Sequence, residues 1–175
     1  AVPGTWFSMG TALSTGLSLK WFKDNFGHNY IDKAAEMGKS VYTLIDEMAA
    51  TVKPGSDRLI YLSFLMGERT PRMNPKYRGA FVGLSSIHTQ KHFFRAIMEG
   101  VSYTLADCNN VLKSEGINIK KARVCGGGAK SPLWRQVLAN LFGCDLYTLE
   151  TEEGPAFGAA ILAGYGAGVF SDLKN

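Results

Sequence analysis

The sequence of 175 residues has no run of about 18 apolar residues, no Asn-x-Ser/Thr triplet and no G-x-G-x-x-G spacing. The first absence leaves no candidate for a spanning helix, the second removes the glycosylation acceptor common in secreted chains, and the third argues against a dinucleotide-binding dehydrogenase. Cysteine is scarce. Cys108, Cys125 and Cys144 are odd in number and too far apart to pair as metal ligands, so reduced thiols in a cytoplasmic protein are expected. Basic residues outnumber acidic ones by a net +4, with a pI near 9.0, but form no block. A small anionic ligand is therefore expected, and neither nucleic acid nor membrane. Histidine is rarer still in useful places. His88 and His92 stand four apart, as two ligands on a helix face would, yet no third ligand follows at suitable spacing, so exposed first-turn histidines are expected and no metal site. The chain does not begin with Met and opens on AVPGTW, already strand-like. It is expected to be a piece of a longer protein.

What the chain does have is apolar content and glycine: 46% hydrophobic residues, 11% aromatic, and 20 glycines. That is enough for one sizeable core and one domain. Residues 2–10 read as a strand, with Thr11 as a cap for a helix bearing Leu13, Leu17 and Trp21 and ended by Gly27. Within that helix Gly16 makes room either for tight packing or for a ligand. Residues 32–52 read as one helix with Ala34, Met37, Val41, Leu44, Ile45, Met48 and Val52 on a face. The run 59–66 reads as a strand buried on both sides, and 79–84 as the next strand. Between them, GERTPRMNPKYR is charged and proline-stiffened, a loop suited to a working edge. Residues 89–115 form the longest helix, 145–149 a strand, and Gly154-Pro155 start a smooth helix rich in Gly and Ala. The order predicts an α/β domain with a mixed sheet flanked by helices.

The stretch KKARVCGGGAKSPLWRQVLANLF is the most informative. A short apolar strand runs into Gly126, Gly127 and Gly128, where the lack of Cβ atoms lets a flat ligand or a phosphate approach the backbone. Ser131 and Pro132 are a strong helix start, so the helix is expected right after the glycines, its positive end aimed at the turn. A plain strand-to-helix connection is the competing reading.

The segment GAFVGLSSIHTQKHFFRAIME resembles the signature of the FGGY carbohydrate kinases. GERTP, GGGAKSPLWRQVLAN and EEGPAFGAAILAGYGAG look most like the D-xylulose-phosphorylating members. The likeness implies a ribonuclease H-like, actin-like ATPase domain: residues 1–175 as the C-terminal, nucleotide-binding half of a two-domain sugar kinase, its first strands missing. It implies ATP and magnesium as cofactors, a pentulose as substrate and a second copy of the chain as a candidate partner. By the same match Gly127, Gly128 and Ala129 line the ribose and adenine, Lys130, Ser131 and Pro132 lie on the following turn, and Gly16 borders the phosphates. A side chain on Gly128 is expected to strain the backbone and intrude on the ribose. Two departures stand out: no residue matches the catalytic aspartate, and the Gly/Thr-rich phosphate hairpin is missing. Gluconokinases, other pentulokinases and a non-enzymatic actin-like nucleotide-binding module remain as alternatives.

Overall fold

The core is laid along one long helix, α4 (Gln90–Ser114), whose apolar residues recur every three or four positions. Phe94, Ile97, Met98 and Val101 are at most 1% exposed. The computed structural model describes residues 4–150 and 154–172. Around α4 pack α1 (Thr15–Phe26), α3 (Val41–Ala50), β1 (Ile60–Leu62) and α5 (Pro132–Phe142), with α2 (His28–Glu36) against α1 and α3. Aromatic rings fill the joint between α1 and α4. Phe22 stacks on Phe93 at 5.4 Å between centroids and meets Phe94 edge-on at 5.3 Å.

The strands make two separate pairs instead of one mixed sheet. β1 runs antiparallel to β2 (Ala80–Val82), and β3 (Lys121–Val124) runs parallel to β4 (Asp145–Thr148), in register Lys121 to Asp145. The 59–66 run is also not buried on both sides. Only three of its residues are strand; Tyr61 is buried, while Ile60 and Leu62 are 52% and 38% exposed because helix covers one face alone. Of the expected strand over 2–10, residues 5–10 take no strand conformation, and 2 and 3 lie outside the described residues.

Three helix readings are corrected. Residues 32–52 hold two helices: Gly38, at φ 61°, terminates α2, with its N–H on Ala35 O and that of Lys39 on Ala34 O, and Ser40 opens α3. α1 starts at Thr15 behind Ser14, not Thr11, which instead exchanges bonds with Thr70. It buries Ser18, Leu19 and Phe22, leaving Leu13, Leu17 and Trp21 toward solvent. α6 (Gly154–Gly166) begins where Gly154-Pro155 indicate, and none of its residues is buried.

Candidate functional site

The parallel pair ends at Val124 and Thr148, and the glycine turn follows β3 at this end. Gly126 has φ 84° and ψ −179°, a conformation other residues pay about 1–3 kcal/mol to adopt. Residues Gly127–Lys130 then form one 3₁₀ turn, closed by Ala129 N–H to Gly126 O at 3.0 Å and Ser131 N–H to Gly128 O at 3.2 Å. The amides at the start of such a turn have no acceptor within it, as at any helix start. The helix therefore opens one short turn after the glycines, not directly on them. Its cap is as expected: Ser131 Oγ accepts the N–H of Trp134 at 2.9 Å, with Pro132 in the first helical position.

A second helix start adjoins the turn. A Cβ on Gly154, the first residue of α6, would stand 2.9 Å from Cys125 Cβ, so α6 begins against the residue that leads into Gly126. The glycine turn thus adjoins the amino ends of two helices, whose dipoles favour an anion.

Trp134 is the base of the turn. It is 4% exposed, its indole N–H donates to Ser102 Oγ at 3.0 Å, and a Cβ on Gly128 would sit 3.4 Å from the ring. Gly128 has no positive φ. The strain expected there belongs to Gly126, and the absent side chain of Gly128 faces the indole. Gly126 and Gly127 both face open space, with nothing within 4 Å of a Cβ built on either, and Gly127 lacks the positive φ of Gly126. Ala129 offers its carbonyl to Arg135 Nη1, and Ser131 Oγ donates to Asp46 Oδ1 on α3. Lys130 is exposed beside them. Gly127 to Pro132 are thus brought together in one turn and cap. Gly16 does not join them: it is exposed on the first turn of α1, and nothing lies within 4 Å of a Cβ there, so tight packing does not account for it.

The signature segment makes its tightest contacts elsewhere. Gly55, Ser56, Asp57 and Arg58 all have positive φ, at 86°, 45°, 49° and 73°. The segment is a socket for this turn. Both Glu99 oxygens accept from Gly55 N at 3.1 Å, His92 O accepts from Ser56 Oγ at 2.7 Å, and His88 Nε2 donates to Asp57 O at 3.1 Å. A Cβ on Gly83 would stand 2.3 Å from Arg58 O. His92 contacts Asp57 Oδ2 at 3.2 Å through one nitrogen and closes a capping box with Thr89 through the other. It is buried, not the exposed histidine expected, and both its nitrogens are occupied by structural bonds. In the loop after β1, Glu68 is 2% exposed; its Oε1 accepts the Arg69 N–H at 2.7 Å and its Oε2 has no partner.

Sequence reasoning found the turn and the cap but not Asp46, Arg135 or the role of Trp134. Only the position of Trp134, three after the capping serine, was a local signal. Asp46 lies 85 residues from its partner.

The proteins that this chain resembles are carbohydrate kinases. A xylulose kinase of Lactococcus lactis is 38% identical over 174 residues, 99% of this chain and 33% of that protein. A gluconokinase of Bacillus subtilis is 34% identical over 165 residues, 93% of the chain and 32% of that protein. The crystal structure of xylulose kinase from Rhodospirillum rubrum superposes with a TM-score of 0.72 at 30% identity, over 93% of this chain and 30% of that one. The chain spans about a third of the length of these relatives. Residues 1–167 match the C-terminal domain of the FGGY family of carbohydrate kinases, and the chain belongs to that family.

Proposed function

We propose that this chain is the nucleotide-binding, C-terminal domain of a two-domain kinase that transfers the γ-phosphoryl group of ATP to D-xylulose, at its fifth carbon. The observation that carries the reading is the turn of residues 126–130 at the carboxyl end of a parallel strand pair, flanked by two helix starts and open at Gly127. Gly127, Gly128 and Ala129 form the floor for ribose and adenine, Lys130, Ser131 and Pro132 border it, and Gly16 belongs to the phosphate side. The two parallel strands are the end of a larger ribonuclease H-like sheet whose other strands lie outside this chain. Glu68 and Arg69 stand at the cleft between the domains.

Among the described residues no group of three or more His, Cys, Asp or Glu side chains is placed to hold a metal. They do not form a cage for magnesium, which nucleotide sites hold largely through phosphates and water. The general base comes from the other domain, as no residue here matches it. A cytoplasmic location and a homodimer complete the proposal. Among the described residues no helix is long and apolar enough to cross a membrane.

A coupled kinase assay on the full-length protein tests the reading across D-xylulose, other pentuloses, glycerol and gluconate. Turnover should be highest with D-xylulose. Preference for gluconate would favour the gluconokinase reading, which the Bacillus subtilis relative supports at nearly equal identity. The isolated chain should phosphorylate no sugar, since loss of a general base alone typically removes a factor of about 10² to 10⁴; xylulose-dependent ADP release by the chain alone overturns the domain assignment.

A further inference from the structure

Two side chains fasten the glycine turn from outside it, one from α5 and one from α3. Arg135 stands on the first turn of α5, half-buried, and reaches back so that Nη1 donates to the carbonyl of Ala129. Its own amide donates to Ser131 O at 3.1 Å, so side chain and backbone of one residue grip both ends of the segment 129–131. Asp46 accepts from Ser131 Oγ, tying the start of α5 to α3. Between these the turn rests on the Trp134 ring, itself fixed to Ser102.

The 3₁₀ turn is a poor structure to leave unsupported. Its hydrogen-bond geometry is weaker than that of an α-helix, and Gly126 and Gly127 contribute no side chain to hold it. The Ala129 carbonyl matters most. Released from Arg135, the peptide between Ala129 and Lys130 can rotate and turn a carbonyl oxygen toward the ligand space, where amides and a helix start otherwise favour an anion. The guanidinium prevents this with a planar, permanently charged donor and adds a positive charge beside the helix start.

We infer that Arg135 is a positioning residue for nucleotide: it holds the Ala129 carbonyl out of the site and keeps the turn in its binding shape before ATP arrives. The inference rests on the reading of the turn as the nucleotide floor. It differs from a merely structural role in what it predicts, because the surface that Arg135 organises is met by ATP and not by the sugar.

The test is steady-state kinetics of the full-length kinase with Arg135→Met, Arg135→Lys and Gly127→Val, each with a thermal melt. Arg135→Met keeps the packed stem and removes the donor. It should raise KM for ATP at least tenfold, leaving kcat and the sugar KM within about twofold and the melting temperature nearly unchanged. Arg135→Lys, which keeps one donor and the charge, should recover part of the loss. Gly127→Val places a side chain in the open space and reports on the floor itself. A raised KM for ATP in Gly127→Val with a normal value in Arg135→Met overturns the positioning role and leaves the floor standing. Normal ATP constants in both overturn the floor and the inference together. A lower melting temperature in Arg135→Met, with both substrate constants raised in parallel, shows a purely structural contact and also overturns it.

Discussion

Gly100 in the middle of α4 lies directly against the carbonyl of Tyr61 in β1: a Cβ built on the glycine would stand 2.1 Å from that oxygen. Helix and strand touch backbone to backbone, and this approach brings Tyr61 into the core beside Phe81, 4.7 Å between centroids.

Gly100→Ala should therefore be among the most damaging small substitutions in the chain. The methyl group meets main chain, which cannot swing aside as a side chain can, so the cost should reach or exceed the about 1–3 kcal/mol usual for overpacking. Urea unfolding of the variant would measure it, and an unchanged midpoint would mean that β1 shifts freely on α4.

Gly16→Ala should behave in the opposite way. The position is helical and open, so alanine should be neutral or stabilise by up to about 1 kcal/mol. If Gly16 faces the phosphates, the same change in the full-length kinase should raise KM for ATP while the melting temperature holds or climbs. Unchanged kinetics would remove Gly16 from the nucleotide site.

Glu99 and Arg95 are each 5% exposed and paired at 2.5 Å, and Glu99 also serves the Gly55 amide. Glu99→Leu leaves a buried cation without its partner and should cost about 3–5 kcal/mol. Replacing both residues, Arg95→Met with Glu99→Leu, should recover only part of this. The part-buried Gly55 N–H loses its carboxylate acceptor, a bond of about 1 kcal/mol. A double-mutant cycle in urea checks the ordering; full recovery in the double variant would show that the Gly55 bond contributes nothing.

How far these features could be read in advance depends on the distance over which each is encoded. α4 was legible because Thr89 caps it and its apolar positions repeat over 25 residues. α5 was legible from Ser131 and Pro132 at one end and Gly143, at φ 65°, at the other. The break between α2 and α3 was also written locally, in Gly38 and Ser40, but the apolar period carried straight across it and concealed the stop. In α1 Phe22 is buried as expected, but the every-fourth-residue stripe of Leu13, Leu17 and Trp21 is not, because the buried face includes Ser18, whose hydroxyl is satisfied by Ser14 O and Tyr61 Oη. The turn at the candidate site was readable in three glycines. Its supports were not: Asp46 and Ser102 reach their partners across 85 and 32 residues.

Alkaline pH should loosen the fold through three buried acids. Burial pushes the Tyr30 and Tyr61 phenols above their ordinary 10.0, and burial, then the charges of Glu68 and Asp107, pushes the Cys108 thiol above 9.0. Each proton is held more tightly in the folded chain, so their contribution is complete below the unfolded pKa values and is lost as pH rises through the folded ones. Melting temperatures from about pH 8 to about pH 11 should fall less steeply in Tyr30→Phe and in Cys108→Ser, the latter keeping a donor for Thr70 O. Equal slopes in all three proteins would assign the loss to other groups.

Arg69 and its neighbour Glu68 should separate function from stability. Arg69 is exposed, whereas Glu68 is buried. In the full-length kinase Arg69→Ala should change kcat or the sugar KM with little effect on the melting temperature. Lower thermal stability with wild-type kinetics would make the loop a structural strap.

The place of α4 in the chain also sets a schedule for synthesis. Leu19, Phe22, Leu44 and Ile45 leave the ribosome before Phe94, Ile97 and Val101, the residues that bury them in one core cluster. At about 5–20 residues per second the wait is on the order of seconds. During that interval the turn at residues 55–58 also lacks the Glu99 and His92 contacts that hold its four left-handed residues. The nascent chain therefore carries three helices that can pack on one another but lack α4, the helix that completes their core, and their apolar faces stay open to chaperones until it emerges.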